Sequence, residues 1–150
     1  MATPPPHFLH QNRLLRVLAP ATMHQVLLSL HPLALRLKET LITRHEPITA
    51  VYFPLDAVVS VVSTLADGTT VEVGTIGNEG MVGLSRFLQV DRMPFTAVVQ
   101  IPGAALKMEA QVFAQTLGRW TVTATACWRA ILRPGARSSA SMRSVIACTG

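Results

Sequence analysis

The sequence predicts a mainly β domain, an antiparallel sandwich or barrel that follows a helical N-terminal part. First, the apolar spacing changes from about 3.6 residues to about 2 after Pro32. Second, Asp67-Gly68 lies between two runs rich in β-branched residues, which predicts a tight hairpin whose two central residues have positive φ. Third, short β-type runs separated by turns continue to Met108, with no βαβ rhythm. The 150 residues, 49% of them hydrophobic and 14% charged, suit one globular domain.

The helical part follows a flexible tail over residues 1–11, which contains three consecutive prolines. Apolar residues at helical spacing come after Asn12, whose side chain we expect to cap the first turn. Pro20 ends this helix and suits the first turn of a second one. We expect the second helix to end near Leu30, just before a His-Pro step.

Six β-type runs follow, over residues 33–38, 50–53, 57–65, 69–76, 96–101 and 105–108. In the fourth run, alternation places Val71, Val73 and Thr75 on one face and Glu72 on the other, where we expect it to be exposed. A helix after residue 110 is expected to be short and poorly formed, because Gly118 and the β-branched residues beyond it disfavour helix.

The basic charge of the chain is confined to its end. Residues 1–109 hold eight Lys or Arg and eight Asp or Glu, whereas residues 110–150 hold five Arg and no acidic residue. Both cysteines, Cys127 and Cys148, also lie there, without a spacing that suits zinc. We interpret residues 114–150 as an atypical tail rich in Arg, Ser and Ala. We do not interpret it as a nucleic-acid interface, because no RNA-binding motif or recognition helix accompanies the arginines.

The residue types that carry out catalysis or hold metals do not cluster in the sequence. Four of the five histidines precede the first strand, whereas a cupin-type metal site needs ligands from several strands. Glu72 and Glu79 are the only carboxylates near the glycines of residues 77–83, and we assign them no acid–base role. We therefore expect a protein that is not an enzyme and that has no catalytic residue, metal or other cofactor.

Nothing in the sequence indicates a membrane or an export route. The N-terminus lacks the features of a signal peptide. The longest apolar run, residues 57–66, is too short to span a bilayer. We expect a cytoplasmic protein without a membrane partner.

Two segments carry a family resemblance: RHEPITAVYFPLDAVVSVVSTLADGTTVEVGTIGNEGMVGL, residues 44–84, and FTAVVQIPGAALKM, residues 95–108. They resemble the effector domain of Crp/Fnr-type bacterial transcription regulators, over about residues 14–113. The resemblance implies a jelly-roll or β-roll domain, similar to cyclic-nucleotide-binding domains, over residues 12–113. It implies a small-molecule effector bound between a Gly-rich cassette and a following helix that forms a homodimer, and DNA as the partner of full-length members.

In nucleotide-binding members of this family, a Gly-Glu pair holds the ribose and an Arg-Ser/Thr-Ala motif pairs with the cyclic phosphate. Here Phe95-Thr96-Ala97 stands in place of the second motif. The Gly-Glu pair matches Asn78-Glu79 or, with a more usual interval to Phe95, Gly83-Leu84. The second match leaves both polar anchors missing, so we expect no cyclic nucleotide. The effector-pocket residues that the resemblance implies are Gly77, Glu79, Gly80, Gly83, Leu84, Arg92, Phe95, Thr96 and Ala97, with Arg92 a substitute anion contact if its loop shifts.

The resemblance also implies a long dimer helix and a helix-turn-helix, neither of which the sequence predicts after residue 113. A frame change near Leu117 is our hypothesis for this departure. The predicted function is the sensory domain of a Crp/Fnr-like regulator that lacks its own DNA-binding domain. Two alternatives are a cupin-like small β-barrel enzyme and a stand-alone β-roll dimerisation module.

Overall fold

The structure, a computed structural model, describes residues 10–16, 26–86 and 90–117. It is mainly antiparallel β, as the sequence predicts. The elements in chain order are helix α1 (Arg13–Arg16), β1 (His31–Leu35), β2 (Thr40–Ile42), β3 (Ala50–Pro54), β4 (Val58–Thr64), β5 (Thr70–Ile76), a 3-10 helix (Leu84–Arg86), β6 (Thr96–Ile101), β7 (Gly103–Glu109) and helix α2 (Ala110–Leu117).

The strands form two antiparallel sheets with the orders β1-β7-β3 and β2-β6-β4-β5. The chain passes from the larger sheet to the smaller one at Pro102, between β6 and β7. Proline donates no hydrogen bond to a strand ladder, so it is suited to such a break and to sheet edges. Pro32 and Pro54 accordingly lie in β1 and β3, the two edge strands of the smaller sheet.

The Asp67-Gly68 hairpin between β4 and β5 is confirmed, but its turn is not the predicted one. Only Gly68 has positive φ, at 84°, and the loop holds three residues between Leu65 and Thr69. The Leu65 carbonyl accepts from the Gly68 N–H at 3.0 Å, and the Leu65 N–H donates to the Thr69 carbonyl at 2.8 Å. A turn that ends on a left-handed glycine is the common three-residue hairpin loop.

A β-bulge in β5 changes which residues face the interior. The register pairs Ser60 with Thr75 and Val62 with Glu72, and it shifts between Val61 and Val62. Glu72 and Thr75 therefore share a face, and Val73 packs into the interior. The predicted grouping of Val73 with Thr75 is wrong, because the extra residue of a bulge interrupts the alternation. The predicted exposure of Glu72 is confirmed.

The predicted C-terminal end of the first strand, residues 33–38, is also wrong. β1 stops at Leu35, and Lys38 has a positive φ of 65° in a turn closed by the Glu39 N–H and the Arg36 carbonyl. The chain then enters β2, which the sequence pattern did not predict because its three residues are too few to show alternation.

Two clusters of buried residues form the core. The helix-side core consists of Leu15, Val26, Leu30, Val51, Phe53, Leu55, Met81, Leu106, Met108 and Phe113. The roll core lies between the sheets and consists of Leu35, Ile42, Ile48, Ala57, Val59, Val61, Ile76, Val82, Met93, Ala97, Val99, Ala105 and Ala110. Leu84 packs against both clusters, which places the 3-10 helix at their junction.

Helix α2 shows how tertiary packing supports a segment with weak helical propensity. Its first residue, Ala110, donates its N–H to the Thr49 carbonyl at 2.9 Å. The ring of Phe113 is fully buried and meets Phe53 edge to face, with 6.4 Å between the ring centroids. Such a pair stabilises beyond its buried area. The helix ends at Leu117, and the rest of the tail, including the hypothetical frame change, lies outside the described residues.

The predicted cap of the first helix is confirmed. The Asn12 side-chain oxygen accepts from the N–H groups of Leu14 and Leu15, each at 3.1 Å. Of the predicted second helix, the structure describes residues 26–30, where Val26 and Leu30 are buried. Pro20 lies outside the described residues.

Candidate functional site

The glycine-rich segment after β5 begins with a hydrogen-bonded turn over residues 77–80. The Gly80 N–H donates to the Gly77 carbonyl at 3.2 Å. The Glu79 carboxylate folds back and accepts from the Gly77 N–H at 2.9 Å. A Cβ at Gly77 would lie 2.8 Å from Glu79 Oε2, so the small residue makes this contact possible. Glu79 thus accepts a backbone hydrogen bond within the turn.

Hydrogen bonds connect this turn to the start of helix α1. The Asn12 side-chain amide donates to the carbonyl oxygens of Gly80 and Pro54, each at 2.9 Å. The Arg13 N–H donates to the Asn78 carbonyl at 2.7 Å. Asn12 is fully buried, so these bonds replace contacts that the same groups would make with water. The turn is therefore attached to both α1 and the end of β3.

The second half of the glycine-rich segment packs closely against β3. Tyr52 and Val82 exchange both backbone hydrogen bonds, at 3.1 and 2.8 Å. Gly83 has a φ of +92°, and a Cβ there would lie 3.1 Å from Val51 Cγ1. Only glycine meets both conditions without strain. The chain can then enter the 3-10 helix, which contacts α2.

The residues at the two anchor positions of the resemblance are both partly buried apolar residues. Leu84 packs against the helix-side and roll cores, and Phe95 packs against the roll core. Ala97 is buried and pairs with Val61. Thr96 pairs with Val62, and its hydroxyl accepts from the Arg44 N–H at 3.3 Å.

Arg92, the predicted substitute contact, is occupied elsewhere. It is exposed, and its Nη1 donates to the His45 carbonyl at 2.6 Å. Its backbone bridges to Pro47. His45 itself has a left-handed φ of 62°. The guanidinium is therefore hydrogen-bonded to the turn at residues 44–47.

Sequence reasoning missed two residues of the 3-10 helix. Ser85 is 2% exposed, and its hydroxyl has no hydrogen-bond partner among the described residues. Arg86 is partly buried, and its Nε is enclosed and equally unpartnered there. The available signal was a Ser-Arg step directly after Gly83-Leu84. Its meaning depends on enclosure, which a sequence pattern does not report.

The other aromatic residues of the β region divide between the cores. Phe53 is fully buried in the helix-side core. Tyr52 is half-buried and packs against the roll core, and burial raises the pKa of its hydroxyl, opposed by the positive charge of Lys107. Phe87 lies outside the described residues.

Within residues 10–16, 26–86 and 90–117, no group of three or more His, Cys, Asp or Glu side chains is arranged to hold a metal. None of the helices described is long and apolar enough to cross a membrane.

Comparison with solved structures places this architecture among known domains. The sensor domain of the transcriptional regulator DNR from Pseudomonas aeruginosa is 17% identical with a TM-score of 0.66, covering 83% of this chain and 84% of that one. The N-terminal domain of a transcriptional regulator from Streptomyces coelicolor A3(2) is 21% identical with a TM-score of 0.61, covering 87% and 99%.

A third neighbour is a regulatory subunit of a cAMP-independent protein kinase A from Trypanosoma brucei, in a mutant form bound to cAMP in the A site. It is 22% identical with a TM-score of 0.69 over 85% of this chain and 46% of that one, so the chain spans about half the length of that subunit. At these identities the likenesses show the fold.

Sequence comparison supplies the family. No curated protein matches the chain at a significant level. The family model of the cyclic nucleotide-binding domain matches residues 32–119, more than half of the chain. This range contains β2 to β7, the glycine-rich segment, the 3-10 helix and α2. The protein therefore belongs to the cyclic nucleotide-binding domain family.

Proposed function

We propose that this chain is the sensory domain of a Crp/Fnr-like bacterial transcription regulator and that its effector is a small molecule other than a cyclic nucleotide. The proposal is supported by the two regulator domains among its structural neighbours, each matched over most of its length. The effector-binding unit in this proposal is the β-roll of residues 12–113, with α2 as the element that reports binding.

The observation that carries the choice of effector is the apolar character of the two anchor positions. A ribose needs a hydrogen-bond acceptor, and a cyclic phosphate needs a positive charge, which together supply strong charge-assisted bonds. Leu84 and Phe95 supply neither, and both partly buried side chains pack against the core. A polar nucleotide placed against them would lose its bonds to water without replacement.

The regulatory part of the proposal goes beyond the described residues. Dimer formation and DNA recognition belong to a whole regulator, and this chain spans only about half the length of the kinase subunit it matches. The domain's own contribution is to couple effector binding to α2, which contacts the 3-10 helix as well as β3 and β7.

The test has two arms. Calorimetric titration of the chain with cyclic AMP and cyclic GMP is expected to give no binding in the micromolar range. The double variant Leu84→Glu, Phe95→Arg should gain affinity for cyclic AMP, whereas each single variant should not, because both anchors are needed. Micromolar binding of either nucleotide to the unsubstituted chain would refute the proposed effector class.

The second arm measures the melting temperature of the chain across a panel of bacterial metabolites. A sensor is stabilised by its ligand, so at least one compound should raise the melting temperature in a saturable way. A dimerisation module without an effector would respond to none of them. Stoichiometric metal in the purified protein would instead support the cupin-like alternative.

A further inference from the structure

Two enclosed polar groups on the 3-10 helix have no hydrogen-bond partner in the part of the chain that the structure describes. The Ser85 hydroxyl and the Arg86 Nε are both buried without a hydrogen bond to any of the described residues. These two atoms belong to consecutive residues, and the turn that carries them connects the two core clusters through Leu84.

Two such groups lower the stability of a domain of this size. A buried donor without an acceptor loses its hydration without replacement, and the resulting free-energy penalty is larger when the donor is charged. Native proteins satisfy nearly all such groups, so an unsatisfied one requires an explanation. A ligand that supplies acceptors is one such explanation.

The charges around Arg86 indicate what that ligand carries. Arg86 forms no salt bridge with the described residues, where the observed ion pair joins Lys107 and Glu109 at 3.3 Å. Asp91, the carboxylate nearest in sequence, is exposed, and Glu79 is bound to the Gly77 N–H. Among the described residues, no carboxylate therefore pairs with the Arg86 guanidinium.

The turn is also placed to respond to an occupant. Arg86 is partly exposed, so solvent and solutes can reach it, whereas Ser85 is almost fully enclosed. The Arg86 N–H already donates to the Gly83 carbonyl at 3.0 Å, and the Ser85 carbonyl accepts from the Val90 N–H at 2.9 Å. These two backbone groups therefore have partners, whereas the Ser85 hydroxyl and the Arg86 Nε have none among the described residues.

We propose that Arg86 binds an oxyanion group of the effector, a carboxylate or a phosphate, and that the Ser85 hydroxyl supplies a second hydrogen bond to it. This inference rests on the proposed function, because it concerns the effector of that same domain. It assigns the anionic contact to the 3-10 helix instead of to the position of Phe95. The apolar remainder of the effector would pack beside Leu84 and Phe95.

The test uses three small probes of similar size: benzoate, phenyl phosphate and the neutral benzamide. The melting temperature of the chain is followed against probe concentration at constant ionic strength. Benzoate or phenyl phosphate should raise it by about 5 °C at a concentration ten times the dissociation constant, and benzamide should have a much smaller effect. The more effective anion identifies carboxylate or phosphate as the source.

The variants Arg86→Gln and Arg36→Gln remove the same charge, but Arg36 is exposed in the turn after β1. Arg86→Gln should weaken anion binding by about tenfold or more, and Arg36→Gln should leave it unchanged. Ser85→Ala should weaken it by several-fold. Arg86→Lys keeps the charge and provides a second, folded variant with intermediate affinity if Arg86→Gln does not fold.

Three outcomes would overturn the inference: an anion response in Arg86→Gln equal to that of the unsubstituted chain, an equal loss in Arg36→Gln, or no response to either anion. A benzamide response that persists in Arg86→Gln would show that the effector needs no anionic group. The proposed sensory function would still stand. The metabolite panel tests that function independently.

Discussion

The side-chain amide of Asn12 donates a hydrogen bond to the carbonyl oxygen of Gly80 at 2.9 Å, across 68 residues of sequence. The same amide reaches the Pro54 carbonyl, while its oxygen caps α1 through Leu14 and Leu15. One fully buried side chain thus joins the N-terminal helix, the end of β3 and the glycine-rich turn. Asn12 therefore links the position of that turn to the position of α1.

Asn12→Ala should destabilise the domain by about 2–3 kcal/mol, because it removes a helix cap and leaves two buried carbonyl groups without donors. Asn12→Asp keeps the capping oxygen but replaces the donor by an acceptor, so its stability should be no higher than that of the Ala variant at neutral pH. Denaturant unfolding measures both. The neighbouring exposed residue Gln11 provides the control, Gln11→Ala. An Asn12→Asp variant as stable as the unsubstituted chain would contradict the role of the Asn12 amide as the donor to the two carbonyl groups.

Gly103→Ala should be strongly destabilising, by about 2 kcal/mol or more. A Cβ there would lie 2.5 Å from Asp56 Oδ1 and 2.8 Å from the Ala57 nitrogen, and the same carboxylate accepts from the Ala104 N–H at 2.5 Å. The matched control is Gly68→Ala, where φ is +84° and no atom lies within 4 Å. That change should cost only about 1 kcal/mol, from backbone strain. Equal losses of stability in the two variants would exclude the steric explanation.

Arg86→Met should raise the free energy of unfolding of the ligand-free chain by about 1 kcal/mol, because it replaces an unsatisfied enclosed donor by an apolar group of similar length. Arg36→Met at an exposed position should change it little. Thermal and denaturant unfolding without any added anion give the comparison. A marked loss of stability in Arg86→Met would mean that the guanidinium is already well accommodated, which would argue against a missing partner.

Phe113→Ala should cost about 3–5 kcal/mol. The ring is fully buried and pairs with Phe53, and it anchors α2 to the helix-side core. Far-ultraviolet circular dichroism should show the loss of helical signal together with the lower unfolding midpoint. Gln115→Ala, at an exposed position of the same helix, is the control and should leave both unchanged.

The hairpin carboxylate Asp67 should titrate below its usual range. Hydrogen bonds from Thr69 lower its pKa, and its Oδ1 accepts from the Thr69 N–H at 2.9 Å. Because the folded-state pKa is below the unfolded one, the contribution of Asp67 to stability is present above the unfolded pKa. It is lost as the pH falls through the folded pKa. Carboxyl chemical shifts followed by NMR measure this pKa, and Asp67→Asn should remove the acid dependence of the Thr69 amide shift. A pKa above that of an unfolded-chain Asp would contradict the turn geometry.

The sequence determined the local features whose signals lie within a few residues. Asn12 is a cap because its acceptor lies next to the N–H groups it serves. The β4–β5 hairpin forms because a glycine with positive φ lies between two β-rich runs. The alternation of the strands identified the mainly β class, and the glycines indicated the segment that the resemblance assigns to the effector cassette.

Tertiary structure decided the features that depend on residues far apart in the sequence. The bulge that turns Val73 inward depends on the register between β4 and β5, and α2 depends on the fit of Phe113 against Phe53. The use of Arg92 at the His45 carbonyl, and the enclosure of Ser85 and Arg86, arise from chain segments far apart in sequence. Burial and hydrogen-bond satisfaction depend on what packs across the molecule, and for that reason a pattern along the chain could indicate a candidate segment but not its polar contacts.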